Sequence, residues 1–345
     1  MAEAPAPASD AIPATVITGF LGSGKTTLLR ALLSHSDMEE TAVLINEFGE
    51  IGLDHLLVRE ISEDIVLLNA GCLCCSIRGD LIHALRDLFL KRVRNEIPEF
   101  QRIAIETTGL ADPAPIIHTL MTDPLIGARY RLDGIVTTVD AALAQSQLDT
   151  HPEAVKQAAV ADRIVLTKID LVEDEALNAL QNRLRGVNPA APILTALHGD
   201  IPPDELLGTG LYDPRTKTAD VTRWLNEEAY HADGPHMHGS HHDLNRHDDH
   251  IRAFCVTLDT PIPWDRFVAW TDLLLAAHGT RLLRLKGILN VAGEERPVVV
   301  HGVQHVFHPP AALPGWPSAD RRSHIVFITR DLGREAVEAT LRASI

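Results

Sequence analysis

Along the first two-thirds of the chain, short apolar runs alternate with stretches in which leucines return one helical turn apart. "ATVITG" enters a glycine-rich turn and then "KTTLLRALLSH"; "TAVLIN" follows, then "DIVLLN" with "SIRGDLIHALRDLFLKRV", and "RIAIE" with "PAPIIHTLM". "GIVTTVD", "RIVLTK" with "DEALNALQNRLRG", and "PILTAL" complete the series. Apolar runs of four to eight residues separated by helical periods predict a mostly parallel sheet with helices on both faces.

The pattern stops at "HADGPHMHGSHHDLNRHDDH", residues 231–250, which carries seven of the 18 histidines and almost nothing apolar. Such a segment cannot bury a core and reads as a linker. Beyond it, "IRAFCVTL", "WDRFVAWTDLLLAAHG", "RLLRLKGILNV", "RPVVVHGVQHVF", "SHIVFITR" and a final helix predict a smaller α+β domain. Phe267, Trp270, Leu274 and Ala277 form its expected core stripe, and Cys255 reads as a core thiol. The expected organisation is a disordered lead-in (1–12), an α/β domain (13–225), a His-rich linker (226–250) and the α+β domain (251–345).

Charge narrows the partners. A formal net charge of -16, from Asp+Glu 47 against Lys+Arg 31, repels phosphate backbones, so nucleic acid is excluded as a general partner. No apolar run reaches the roughly 18 residues of a membrane span. The N-terminal "MAEAPAPASDAIPA" lacks the basic and apolar regions of a signal peptide, so the cytoplasm is the expected compartment. Thiols there stay reduced, and clustered cysteines then point to metal or redox chemistry.

"GFLGSGKT", Gly19 to Thr26, fits G-x-x-x-x-G-K-[ST] between a strand and a helix. Gly19, Gly22, Ser23, Gly24, Lys25, Thr26 and Thr27 would cradle phosphates with backbone N–H groups and the helix N-terminus. Lys25 would reach the β/γ-phosphates, and the Thr26 hydroxyl would bind Mg²⁺. In "VLTKID", Thr167, Lys168 and Asp170 match the N/T-K-x-D element of GTPases. A carboxylate there accepts the guanine N1–H and N2–H₂ pair that adenine does not offer, so GTP is expected over ATP. Glu106, ending "RIAIE", has Gly109 three residues on. The pair reads as a Mg²⁺-holding carboxylate and a backbone N–H that senses the γ-phosphate. Asn46, Glu47, Glu50 and Asp54 follow the second strand, where a nucleotide-responsive switch loop belongs.

Three of the four cysteines, Cys72, Cys74 and Cys75, stand in "GCLCCSIRGD" before a helix, where thiolate is favoured. Cys72 and Cys74 are close enough to chelate one ion, with Glu47 or a histidine completing a Zn²⁺-like donor set. A redox-active C-x-C and packing in a buried turn are the alternatives.

Taken together, "GFLGSGKTT", "NEFGEIGLD", "GCLCCSIRGDL", "ETTGLADPAP" and "TKIDL" resemble the CobW-type metallochaperone GTPases, relatives of the HypB and UreG metal-handling GTPases. The likeness spans the whole chain, and the C-x-C-C motif is its most specific element. It implies a P-loop NTPase domain followed by a His-rich linker and a CobW-type C-terminal domain. It also implies that Mg²⁺ and GTP assemble Cys72, Cys74 and Cys75 into a Zn²⁺ or Co²⁺ site, with release to a client metalloprotein or metal-inserting enzyme on hydrolysis. Lys25, Thr26, Glu47, Glu106 and Asp170 carry over with the cysteines. Related GTPases dimerise through the nucleotide face, which makes a GTP- or metal-dependent homodimer an expected assembly.

Two other classes compete with this reading: a nucleotide-modulated metal buffer or sensor without a client, and a P-loop kinase, against which T-K-x-D argues. Imidazoles of the linker would buffer or collect metal, or the tract is simply a solvated linker with incidental metal affinity. His301, His305 and His308 are irregularly spaced and read as structural.

Overall fold

The computed structural model describes residues 11–45, 66–69, 77–207 and 250–345. Asn46, Glu47, Glu50, Asp54, Cys72, Cys74, Cys75 and the tract 231–249 lie outside the described residues, as does most of the lead-in. The helices in chain order are α1 (Lys25–Leu33), α2 (Ile77–Val93), α3 (Ala114–Thr122), α4 (Pro124–Gly127), α5 (Ala144–Thr150) and α6 (Pro152–Val160). They continue with α7 (Asp174–Val187), α8 (Pro203–Leu206), α9 (Trp264–His278) and α10 (Arg334–Ser344). Two compact units emerge. One comprises residues up to Gln147, Ala161–Leu180 and the segment from Pro192; the other comprises Leu148–Val160, Gln181–Ala191 and the C-terminal residues to Ile345.

In the first unit, seven strands form one parallel sheet: β1 (Ile12–Gly19), β2 (Thr41–Ile45), β3 (Val66–Asn69), β4 (Arg102–Glu106), β5 (Tyr130–Asp140), β6 (Arg163–Thr167) and β7 (Ile193–Ala196). Their order is β3-β2-β4-β1-β5-β6-β7. Val16 and Ile17 of β1 are buried, as expected of a strand covered on both faces. Leu28, Leu29 and Leu32 of α1 are fully buried, and the helix runs back along the sheet over Ile17 and Val43. Strands leave β1 toward both sides, so the loop after β1 sits at the switch point where open α/β sheets bind ligands.

The second unit holds an antiparallel sheet of β8 (Ile251–Leu258), β9 (Leu282–Leu289), β10 (Val298–Val303), β11 (Val306–Phe307), β12 (Ala311–Ala312) and β13 (Ser323–Arg330). The order is β11-β10-β9-β13-β8, with β12 pairing β10. Phe254, Phe327, Phe267 and Trp270 pack between this sheet and α9; the Phe254 and Phe327 rings stack 5.3 Å apart.

Three details depart from the sequence reading. Ala277 is exposed, because the buried face of α9 closes at Leu274 one turn before the helix ends. "RPVVVHGVQHVF" is a hairpin rather than one strand, turning at Gln304, whose φ of 52° reverses the chain between β10 and β11. Helices α5 and α6 occupy a stretch without leucine periodicity. Cys255 is fully buried, as a core thiol should be. Among the described residues no helix is long and apolar enough to cross a membrane.

Candidate functional site

Residues 20–24 connect β1 to α1, and Gly24 caps the helix in the left-handed region at φ 88°. A side chain there is strained, and its Cβ would also come within 3.3 Å of Thr167. The Lys25 ammonium, largely buried, donates to the carbonyls of Gly19 (2.9 Å) and Phe20 (3.2 Å). The loop is thus curled around its own lysine, with the amides at the start of α1 left to face a ligand. The Ser23 hydroxyl bonds Thr138 at 2.7 Å, and the Thr167 hydroxyl donates to the Ser23 carbonyl at 2.8 Å. These contacts fasten the loop to β5 and β6.

At the end of β4, Glu106 is buried and its Oε1 accepts from the Thr26 hydroxyl at 3.0 Å. A threonine hydroxyl and a carboxylate converging beside a phosphate cradle are hard oxygen donors of the kind Mg²⁺ takes. The residues present therefore fit that ion. Thr107 then ties the segment back to β1, its amide donating to Ile17 and its hydroxyl to Thr18 at 2.8 Å. Gly109 rests against the Leu21 backbone so closely that a Cβ would stand 2.6 Å from the Leu21 nitrogen. Phosphate loop and E-x-x-G segment are thus in direct contact.

The T-K-x-D element follows β6. Lys168 adopts φ 54°, unusual for a non-glycine residue, and its ammonium meets Asp140 Oδ2 at 2.6 Å. The fully buried Asp140 also accepts from the amides of Ala142 and Leu143. Asp170 lies exposed on the next short turn. Sequence reasoning missed Asp140. The signal was its position as the last residue of a central parallel strand, level with Thr167 in the neighbouring strand.

A cleft of about 940 Å³ opens over the phosphate loop and the end of β4, lined among others by Gly22, Lys25, Thr26, Glu106, Gly109 and Lys168; Asp170 is not part of its lining. That is at the upper end of the roughly 300–1,000 Å³ of small-molecule sites. Gly19, Ser23, Thr27 and Thr167 stand in the same constellation. Among the described residues no group of three or more His, Cys, Asp or Glu side chains could hold a metal ion; Glu47 and the three clustered cysteines lie outside them. His301 is buried with its ring 5.5 Å from that of His308, while His305 is exposed.

Fold and cradle define a P-loop NTPase. The chain belongs to the CobW/HypB/UreG family of P-loop GTPases: the profile of the CobW/HypB/UreG nucleotide-binding domain matches residues 13–195. That of the cobalamin synthesis protein cobW C-terminal domain matches residues 251–345. The chain is 36% identical over 328 residues to the zinc chaperone YjiA of Escherichia coli, covering 95% of this chain and 97% of that one. It is 30% identical to the zinc chaperone CobW of Pseudomonas aeruginosa, over 97% of this chain and 92% of the other. The crystal structure of Zn(II)-bound YjiA GTPase from E. coli superposes with a TM-score of 0.70 at 29% identity, covering 97% and 99% of the two chains.

Proposed function

We propose that this GTPase is a zinc chaperone whose Mg²⁺-GTP state assembles Cys72, Cys74 and Cys75, with Glu47, into a thiolate site for Zn²⁺ or Co²⁺. Hydrolysis then releases the ion to a client metalloprotein or metal-inserting enzyme. One observation carries this reading. Asn69, the last residue of β3, is level with Ile45, which is level with Glu106, which in turn is level with Ile17. The chain therefore leaves for Cys72, three residues on, from the same carboxyl end of the sheet as Glu106, the proposed Mg²⁺ ligand.

In this scheme the backbone amides from Gly22 to Thr27 bind the phosphates, and Lys25 moves from its two carbonyls onto the β/γ-phosphates. Thr26 and Glu106 would hold Mg²⁺, which when bound would supply charge neutralisation for phosphoryl transfer. The Gly109 amide reports on the terminal phosphate. Asp170 accepts the guanine edge, with the Lys168 stem laid alongside and its ammonium held by Asp140. Losing the γ-phosphate removes Gly109's contact, and an ordered segment loosens, an established form of switching. Zinc, as the cargo, departs because its own site comes apart. The setting is the cytoplasm, and hydrolysis is slow until a client surface or a second copy of the chain completes the site.

The test is an anaerobic Zn²⁺ and Co²⁺ competition titration with Mg²⁺ plus a non-hydrolysable GTP analogue, Mg²⁺ plus GDP, or no nucleotide. One tight site should form only with the analogue and vanish in Cys74→Ser. Equal affinity in all three states would leave a metal buffer and sink the chaperone reading.

A further inference from the structure

Asp140, the last residue of β5, is fully buried and level with Thr167, the last residue of β6. A carboxylate in such a place is destabilising unless its charge is paired and its lone pairs are met. Three donors meet this one. Oδ1 accepts from the amides of Ala142 (2.9 Å) and Leu143 (3.2 Å), in its own loop. Oδ2 accepts from the Lys168 ammonium at 2.6 Å, in the loop after β6. One oxygen shapes the β5 loop, and the other reaches across to the β6 loop.

Lys168 needs such a tether. Its backbone is left-handed, with φ 54° and ψ 35°, a conformation that crowds a residue bearing a Cβ and that glycine adopts freely. The strained residue opens a tight turn: the Leu171 amide donates to the Lys168 carbonyl at 3.1 Å, with Asp170 inside the turn. Upstream the chain is already pinned. The Thr167 hydroxyl donates to the Ser23 carbonyl at 2.8 Å, and the Thr167 carbonyl accepts from the Ala141 amide at 3.0 Å. Beyond Thr167, the bond to Asp140 is the one side-chain hydrogen bond that holds residues 168–171, counted among the described residues. All of these residues belong to the first unit.

We propose that Asp140 is a positioning residue for guanine recognition: by holding the Lys168 ammonium it stabilises the left-handed turn that aims Asp170 at the base. Buried at 0% exposure, it acts without touching the nucleotide. This role rests on the reading of Asp170 as the acceptor of the guanine edge.

The experiment measures binding of fluorescent GDP and ADP to the full chain at fixed Mg²⁺, in the wild type, Asp140→Asn, Lys168→Met and the double variant. Phosphate contacts are common to both nucleotides, so ADP reports the cradle and the GDP:ADP ratio reports the base site. Asparagine keeps a carbonyl oxygen for the Ala142 and Leu143 amides and loses only the charge that holds Lys168. Asp140→Asn should therefore lower the ratio roughly tenfold and leave ADP within about twofold. Lys168→Met should lower it at least as far, and Asp140→Asn should add no further loss in that background, because the two residues act as one. An unchanged ratio in Asp140→Asn, equal weakening of both nucleotides, or additive losses in the double variant would overturn the proposal. If Asp140→Asn does not fold, Lys168 carries the test, since its side chain is 39% exposed. Lys168→Gly is free to be left-handed without a tether, so it must keep more of the ratio than Lys168→Met; the reverse order overturns the proposal as well. A wild type that does not prefer GDP would sink the base assignment itself, an outcome distinguishable from the others.

Discussion

Gly109 shows how little freedom the site leaves a single residue. A methyl group there would have to displace the Leu21 backbone, since its nearest neighbours are the Leu21 nitrogen at 2.6 Å and Cα at 2.7 Å. Gly109→Ala should therefore force the Gly109 amide and the Leu21 backbone apart, displacing the amide proposed to meet the γ-phosphate. Misplacement by about 1 Å costs on the order of 10²-fold in rate. We expect kcat for GTP hydrolysis to fall by about that factor, with GDP affinity nearly unchanged, read from single-turnover hydrolysis beside a GDP titration. Unaltered hydrolysis would separate Gly109 from catalysis. At this scale the motif residues were legible in the sequence because each chemistry requires a residue type at a spacing: Lys25 and Thr26 after the glycines, Glu106 three before Gly109. Asp140 was not legible. An aspartate at a strand end is ordinary, and only the neighbouring strand's register shows that it faces Lys168 at 2.6 Å.

Among the elements, β13 carries its own acid sensitivity. Asp320, three residues before the strand, accepts from Arg322 through both oxygens, Oδ1 at 3.1 Å and Oδ2 at 2.8 Å, and from the Arg322 amide. These hydrogen bonds hold its carboxyl well below the usual carboxylate range. In α10, the side-chain hydrogen bond from Arg342, helped by Arg334, lowers the Glu338 carboxyl in the same direction. A group whose folded pKa is depressed stabilises the fold above its unfolded value, about 3.9 for Asp. That stabilisation is lost as pH falls through the folded value. Asp320→Asn should therefore lower the protein's Tm at neutral pH by roughly 2 °C, and the gap to wild type should begin to narrow below about pH 4 and go on narrowing as the pH falls further. Calorimetry along a pH series reads this directly; a gap that persists in acid would assign the loss to packing. The strands and long helices were legible because their apolar periods are long and strong. Helix α6 was not, because it is only nine residues long and its buried face, Ala154, Val155, Ala158 and Ala159, carries none of the leucines by which the other helices were read. The β10–β11 turn was hidden for a similar reason, since Gln304 and His305 are not turn formers and the antiparallel pairing alone imposes the bend.

For the whole molecule, the question is whether nucleotide and metal are one equilibrium or two. If the C-x-C-C site forms only in the conformation that GTP stabilises, linkage makes the effect reciprocal. The factor by which a GTP analogue tightens Zn²⁺ must equal the factor by which Zn²⁺ tightens the analogue. Such couplings are typically about 5–150-fold. Thr26 bonds Glu106 at the end of β4, and Gly109 packs on the Leu21 backbone, so the parts that would carry such a coupling are neighbours rather than distant surfaces. The measurement is a fluorescent-analogue titration with and without saturating Zn²⁺, set against a Zn²⁺ titration with and without the analogue, on the same preparation with Mg²⁺ fixed. Equal factors of at least about fivefold, both lost in Cys74→Ser, would establish a nucleotide-gated clamp. Unequal factors would mean that a second metal population, for which the seven histidines of residues 231–250 are the first suspects, contributes to one titration and not to the other. Removing those histidines by substitution should then bring the two factors together, because only ions that bind both nucleotide states alike would have been lost.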